Sequence, residues 1–300
     1  MTAPLNERIK ATLSAPAHPA VNEFAARLGE TAGALGVLFY GSNLRTGSLE
    51  GVLDFYVLLP GELERGIWPR VSYHEWTHDG IALRAKAATM TLATFAAAAR
   101  GDLLDTTIWA RFVQPSALVW ARDPQQAEPI ASAVAHAAST AARFAAALGP
   151  RSGTAEDFWR ALFRATYRAE FRVEKPGREN DILAVNRAHF DGLLPLAWDS
   201  AGIAVERDGE QLRPGLASDQ RAKLREAFAR RARWGKLYNL VRLVRASTTF
   251  DGAARYAAWK IERHTGVPVA LTPWRERHPV LAAPGVLLDV WRRQRRARRA

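Results

Sequence analysis

Two apolar segments joined by a Gly-Ser turn constrain this chain more than any other feature. The first segment, 36–40, is rich in strand-forming residues and leads into Gly41-Ser42. The chain returns through a second apolar segment, 52–57, which carries a single acid, Asp54. Glycine lets a backbone approach a phosphate closely, a serine hydroxyl and nearby amides can hold phosphate oxygens, and a carboxylate on the next strand can hold Mg²⁺. The pattern predicts a site for a nucleotide and a metal ion. The alternative interpretation is a plain hairpin whose single aspartate has its hydrogen-bond partners within the protein.

Composition narrows the class of partner. The 300 residues carry a formal net charge of +12, which favours a partner rich in negative charge, such as nucleic acid, a nucleotide or anionic lipid headgroups. Most of the cations are arginine, a residue that binds phosphate bidentately. The chain has no cysteine, which excludes disulfides, thiolate catalysis and Cys-ligated zinc.

The sequence predicts neither an export signal nor a membrane span. Residues 1–19 are mixed and polar, unlike a signal peptide. The longest uncharged segment, 87–99, is too short and too rich in alanine and threonine to cross a bilayer. We therefore expect a cytoplasmic protein that is soluble or peripheral to a membrane.

Apolar periodicity predicts a mixed α/β first part and a mostly helical second part. Strands are expected at 36–40, 52–59 and 116–120, and Asp79-Gly80 predicts a tight hairpin between 70–78 and 81–86. Helices are expected at 5–32, 91–99, 127–148, 154–171, 180–195, 217–246 and 250–264. The change of pattern predicts three units: 1–124, 125–246 and a basic, amphipathic C-terminal segment, 247–300.

One short motif suggests zinc. The sequence His-Glu-Trp-Thr-His at 74–78 matches the H-E-x-x-H pattern, in which a helix brings both histidines to one ion. Here the motif lies in a segment rich in β-formers that ends at Asp79-Gly80. On a strand, positions four apart are separated by roughly 13 Å, too far for one ion. We therefore interpret the motif as part of a strand.

Asp54 lacks a partner that polymerase-type sites usually have. Nucleotidyltransferases of the DNA polymerase β type share the Gly-Ser turn and the strand acid, but they carry a second acid two residues later, where this chain has Tyr56. That difference counts against template-dependent polymerases, which use two metal ions, and nucleic acid is not the expected partner. Coordination of the metal would be completed by the nucleotide phosphates or by one of three other acids: Glu75, Asp79 or Glu170.

Two segments are strongly basic. The C-terminus, 291–300, carries six arginines after an apolar segment, 280–290, and Trp291 begins it. This pattern is typical of an aromatic and cationic anchor on anionic lipid or nucleic acid, with a solvated tail as the alternative. The predicted helix 217–246 is the second basic segment, and we interpret its cations as a face exposed to solvent. These cations are Arg225, Arg230, Arg231, Arg233, Lys236, Arg242 and Arg245.

An ordered set of segments resembles the mitochondrial-type phosphatidate cytidylyltransferases, which are peripheral CDP-diacylglycerol synthases. The likeness covers residues 36–263, with Gln114 in place of a family lysine and Glu170 in place of a family aspartate. The matching segments are Phe39-Tyr40-Gly41-Ser42, Leu53-Asp54-Phe55, Lys86 after a hairpin, 102–115 with Arg111 and Pro115, 163–172, and Val244 to Thr249 with the helix that follows.

The resemblance implies a fold and a reaction. The fold would be a DNA polymerase β-type nucleotidyltransferase domain, then a mostly helical, winged-helix-like domain and a basic C-terminal helix. The reaction would transfer a cytidylyl group from CTP to phosphatidic acid with Mg²⁺, giving CDP-diacylglycerol and pyrophosphate at an anionic membrane surface. Two alternatives stay open: a nucleotidyltransferase with another acceptor (a soluble phosphate, an RNA end or a protein), and a degenerate fold that binds without catalysis.

The resemblance also implies residue roles. Asp54 would bind Mg²⁺ and would be catalytic together with Lys86. The triphosphate would be held by Gly41, Ser42, Lys86 and Arg111. The lipid phosphate or the leaving pyrophosphate would be held by Arg172 and Arg245.

Overall fold

The protein has a mixed α/β fold, as predicted. The structure, a computed structural model, describes residues 2–169, 178–249 and 252–297, and the side chains of 178, 236–249, 253, 264, 279–280 and 294–297 fall outside that description. The strands are β1 (Gly36–Tyr40), β2 (Leu53–Leu59), β3 (Arg70–His78), β4 (Ile81–Thr91), β5 (Ser116–Ala121), β6 (Val205–Asp208) and β7 (Gln211–Pro214). The helices are α1 (Ala3–Leu13), α2 (Pro19–Ala32), α3 (Ser42–Thr46), α4 (Leu92–Arg100), α5 (Thr107–Phe112), α6 (Ala127–Leu148), α7 (Ala155–Ala169), α8 (Arg178–Val185), α9 (Arg187–Phe190), α10 (Leu193–Ser200), α11 (Ser218–Thr249), α12 (Ala253–Thr265), α13 (Pro273–Arg277) and α14 (Pro279–Ala297).

Five strands form one mixed sheet in the order β3-β4-β2-β1-β5. Strands β2 and β4 are parallel, and the other neighbouring pairs are antiparallel. Strand alternation directs Phe55 and Val57 toward α2, where Phe24 and Phe55 have ring centroids 6.0 Å apart. Asp54 and Tyr56 therefore project from the opposite face of the sheet, toward a second and larger core.

The larger core is built around α6, an alanine-rich helix that is buried on almost all sides. This helix packs on α1, α4 and α5 next to the sheet, and on α7, α10 and α11. Trp109 stacks on Phe144 with ring centroids 5.1 Å apart, and the Trp198 indole donates to the Ala142 carbonyl at 2.9 Å. One apolar cluster thus crosses the predicted boundary after residue 124, and the three-unit division stays a prediction.

The predicted hairpin is confirmed. Strands β3 and β4 pair antiparallel around Asp79-Gly80, with His78 opposite Ile81. Asp79 has a φ of +47°, in the left-handed region that aspartate tolerates better than most residues. The His-Glu-Trp-Thr-His motif at 74–78 lies along β3, as the sequence indicated, so its two histidines are spread along an extended strand.

The second half of the chain differs from prediction in two places. The helix expected at 180–195 is three short helices, α8, α9 and α10, and Gly192, with a φ of +67°, precedes the last of them. Strands β6 and β7 form a hairpin in a segment where no strand was expected. The helix expected at 154–171 is present as α7 to Ala169, and its predicted end lies outside the described residues.

The basic helix α11 is more than a solvated face. Arg225 donates to the Ala147 carbonyl at 2.7 Å, and Arg231 donates to the Gly101 carbonyl. These carbonyls belong to the ends of α6 and α4, where helices leave acceptors without intrahelical donors. The arginines of α11 therefore cap two helices of the larger core, which corrects the expectation that its cations only face solvent.

Replacing Arg225 with glutamine should lower the free energy of unfolding by about 1 kcal/mol, because a charge-assisted hydrogen bond to a helix end is lost. Arg230→Gln changes an exposed arginine on the same helix and serves as the matched control. Urea denaturation of both variants measures the difference. An equal loss in the two variants would contradict the capping role.

Candidate active site

Backbone register brings the predicted metal ligand and the predicted lysine together. Tyr40 of β1 lies opposite Asp54 of β2, and Asp54 lies opposite Lys86 of β4. Tyr73 of β3 completes the row opposite Lys86. Residues opposite one another in neighbouring strands project from the same face, so four polar side chains form one row across the sheet. We call Tyr40, Asp54, Lys86 and Tyr73 the polar row.

The Gly-Ser turn lies directly against this row. Gly41 has a φ of +94°, and a Cβ built there would lie 3.4 Å from Oδ2 of Asp54. The positive φ would strain any residue with a side chain, which explains the glycine, and its Cβ would be in van der Waals contact with the carboxylate. Ser42 follows as the exposed first residue of α3. The Asn43 amide ties the next loop to the turn by donating to the carbonyls of Ser48 (2.8 Å) and Glu50 (2.7 Å).

Arg111 reaches the row from α5. Its Nη1 atom donates to the hydroxyls of Tyr40 and Tyr56, both at 3.2 Å. Its guanidinium also lies 5.0 Å from the centre of the Tyr40 ring, within the range of a cation–π contact. Two tyrosines therefore hold the Arg111 guanidinium near Asp54. The positive charge of Arg111 acts on the Asp54 carboxyl and favours its ionised form.

Burial dominates the electrostatics of Asp54. Loss of hydration raises the pKa of its carboxyl above the ordinary value of 3.8, and the charges of Lys86 and Arg111 offset part of that rise. A bound cation would stabilise the ionised form further. Mg²⁺ commonly takes one or two protein carboxylates and completes its shell with water and substrate phosphates, so Asp54 fits the role of a single protein ligand.

The other candidate metal ligands have different contacts. Glu75 accepts a hydrogen bond from the Tyr73 hydroxyl at 3.0 Å and lies 3.7 Å from Nε of Arg84. Asp79 is at the tip of the hairpin, with 88% of its side chain exposed. Glu170 lies outside the described residues. Within the described part of the chain, no group of three or more His, Asp or Glu side chains is placed to hold a metal ion.

The predicted lipid-phosphate residues cannot be placed. Arg172 lies outside the described residues, and Arg245 lies on α11 in the part whose side chains are not described. Gln114, which replaces a lysine of the resembling family, donates to the Ala110 carbonyl at 3.1 Å within its own turn. Gln114 is therefore bonded to its own helical turn and is not a member of the polar row.

Sequence reasoning missed the tyrosines of the site. Tyr40 and Tyr56 hold Arg111, and Tyr73 ends the polar row, where burial and the neighbouring Glu75 raise the pKa of its hydroxyl. A signal was available for Tyr56, because it lies two residues after Asp54 and strand alternation puts both on one face. The site joins the Asp54 carboxylate to Lys86 and to Arg111 beside a glycine turn, an arrangement able to bind and neutralise phosphate groups.

Comparison with known proteins assigns neither a family nor a function to this site. The chain matches neither a known protein-family model nor, at a significant level, any curated protein.

Proposed function

We propose that this chain is a nucleotidyltransferase of the DNA polymerase β type that transfers a cytidylyl group from CTP to phosphatidic acid. The observation that carries the proposal is the direct pairing of Asp54 with Lys86 beside Gly41. This pairing puts a candidate metal ligand and a candidate phosphate-neutralising cation side by side on one face of the sheet, next to the Gly-Ser turn. The sequence resemblance supplies the choice of base and acceptor.

The reaction needs positioning and charge neutralisation more than base catalysis. A phosphate oxygen of the acceptor attacks the α-phosphorus of CTP, the bond from that phosphorus to the bridging oxygen of the β-phosphate breaks, and pyrophosphate leaves. The acceptor phosphate is already anionic, so no strong general base is required. Asp54 would hold Mg²⁺, which when bound neutralises charge on the triphosphate, while Lys86 and Arg111 neutralise the remaining charge.

Helix α14 supports a lipid acceptor. None of the described helices is both long enough and apolar enough to cross a bilayer. In α14, however, Leu281, Leu288 and Trp291 are exposed by 71%, 47% and 48%, although they are large and apolar. Their spacing places them along one side of the helix, and Arg292 and Arg293 follow them at its end. An exposed apolar stripe that ends in arginines suits a helix lying in the surface of an anionic membrane.

The apolar stripe of α14 is expected to determine membrane binding. Leu281→Glu with Leu288→Glu should weaken binding to vesicles containing phosphatidic acid by at least about tenfold, because burying one leucine contributes about 1.5–3 kcal/mol. Leu63→Glu changes a leucine outside α14 that is about as exposed as Leu288, at 49%, and is the matched control. Co-sedimentation with vesicles at low and high salt measures the effect. Unchanged binding by the double variant would remove α14 from the interface.

Removal of residues 291–300 tests the arginine cluster separately. The truncated protein should bind the same vesicles less tightly and lose the salt dependence of binding, since each arginine near the surface contributes about 1 kcal/mol within a Debye length. Turnover of a short-chain, water-soluble phosphatidic acid should persist. Salt-insensitive binding by the full chain would show that residues 291–300 are a solvated terminus.

The activity itself is tested with CTP, Mg²⁺ and phosphatidic acid. The expected products are CDP-diacylglycerol and pyrophosphate in equal amounts, measured by mass spectrometry and a pyrophosphate assay. Pyrophosphate release only with a soluble phosphate, an RNA end or a protein would identify another acceptor. Failure of the chain to bind Mg²⁺–CTP would contradict the nucleotidyltransferase proposal.

A further inference from the structure

Helix α12 packs against the edge strand that carries the end of the polar row. A Cβ built on Gly252, just before α12, would lie 2.7 Å from the Tyr73 carbonyl oxygen, so the helix begins in close contact with β3. The ring of Tyr256 lies 5.4 Å from the ring of Tyr73, centre to centre. The first turn of α12 is therefore fixed against the row, and its next turns extend from that contact.

One turn further on, α12 carries an indole between two arginines. The Trp259 ring lies 5.4 Å from the guanidinium carbon of Arg84 and 5.3 Å from that of Arg263. Arg84 is on β4, two residues before Lys86, so strand alternation puts both cations on the same face. Both guanidinium groups are thus within cation–π distance of one indole, which restrains them, and each guanidinium can make bidentate contacts to phosphate.

The guanidinium of Arg263 lies beside the loop that follows the Gly-Ser turn. A Cβ built on Gly51 would lie 3.1 Å from Nη1 of Arg263. That loop runs into β2 and Asp54, and the Asn43 amide ties it to the Gly-Ser turn. In the described part of the chain, the Arg263 guanidinium contacts the Trp259 ring and belongs to none of the described ion pairs.

We propose that Arg263 is a phosphate-binding residue that α12 brings to the active site, with Trp259 as its positioning residue. The inference rests on the proposed nucleotidyltransferase site and adds a residue from outside the sheet. Arg84, Lys86, Arg111 and Arg263 bring four cations around the part of the sheet that carries Asp54. Several guanidinium groups suit a ligand with several phosphate oxygens: the nucleotide triphosphate, or that triphosphate together with the acceptor phosphate.

The test compares Arg263→Gln with Arg255→Gln, which removes an exposed arginine from the same helix. Inorganic pyrophosphate, Mg²⁺–CTP and short-chain phosphatidic acid serve as probes, and calorimetry and steady-state kinetics give the readouts. We expect Arg263→Gln to weaken pyrophosphate and CTP binding by at least about tenfold and Arg255→Gln to change neither. Trp259→Leu should weaken binding less than Arg263→Gln does, and thermal melting checks that both variants are folded.

The outcomes separate the sources of phosphate. Weaker CTP and pyrophosphate binding assigns Arg263 to the triphosphate, whereas unchanged nucleotide binding with a raised KM for short-chain phosphatidic acid assigns it to the acceptor. Binding and kinetics that match Arg255→Gln for every probe would overturn the inference while leaving the proposed function intact. If the protein binds pyrophosphate through Arg263 but does not bind CTP, the inferred phosphate site is correct and the proposed function is wrong.

Discussion

Asp54→Asn is expected to reduce cytidylyl transfer by about 10³-fold, or about 4 kcal/mol of transition-state stabilisation. The amide keeps the size of the side chain but removes the anionic oxygen that would hold Mg²⁺ next to the triphosphate. Asp208→Asn, at the exposed turn of the β6/β7 hairpin, is the matched control and should retain full activity. If Asp54→Asn keeps activity within about tenfold of the unchanged protein, about 1.4 kcal/mol, the metal assignment is wrong.

The same substitution should not destabilise the protein at neutral pH. Because burial raises the pKa of Asp54 above 3.8, the folded state binds the proton more tightly than the unfolded state does. The stability that Asp54 contributes is therefore full at pH values below 3.8 and is lost as the pH rises through the folded-state pKa. Asparagine cannot ionise, so the melting temperature of Asp54→Asn should match that of the unchanged protein in acid and equal or exceed it at pH 7. A large loss of stability at pH 7 would show that the Asp54 carboxylate has a structural role.

Local signals made the centre of the site predictable. The Gly-Ser turn, the isolated acid on the following strand and the Asp79-Gly80 hairpin each depend on a few neighbouring residues, and the structure has all three elements. The placement of Lys86 beside Asp54 is different, because it depends on β4 pairing parallel with β2. Strand order is a non-local property that alternation within one segment does not encode, and the sequence suggested Lys86 only through a resemblance.

The missed elements lacked a clear periodic pattern. The β6/β7 hairpin turns at Gly209-Glu210, so the Asp208-Gly209 dipeptide lies one residue out of step with the Asp-Gly turn of the predicted hairpin, and β6 is mostly charged and exposed. In β7 only Leu212 and Pro214 alternate with polar residues, which is too short a pattern to predict a strand. The approach of Arg263 to Gly51 depends on where α12 packs, and the composition of that helix predicts a basic surface without indicating its neighbour. Long-range packing therefore decided which cations belong to the site.

Lys86→Met is expected to weaken CTP binding by at least about tenfold and to slow the transfer step. Lys86 lies in register with Asp54 and its charge acts on that carboxyl, where a triphosphate bound at the Gly-Ser turn would need a cation. Arg111→Met should weaken CTP binding too, since Tyr40 and Tyr56 hold that guanidinium beside the same carboxyl. Calorimetry without lipid isolates nucleotide binding from acceptor binding. Unchanged CTP affinity in both variants would assign these cations to the lipid phosphate or to structural contacts.

The pH dependence of these variants distinguishes a role at Asp54 from a general loss of charge. Lys86 and Arg111 both lower the pKa of the Asp54 carboxyl against the effect of burial, so removal of either cation leaves that pKa higher. Because only the ionised carboxylate would hold Mg²⁺, the acidic limb of the profile of kcat/KM against pH should move to higher pH in both variants. Lys223→Met, which removes a lysine on α11 with 79% of its side chain exposed, should leave the limb in place. If all three variants share the profile of the unchanged protein, Asp54 is not the group whose ionisation limits the reaction in acid.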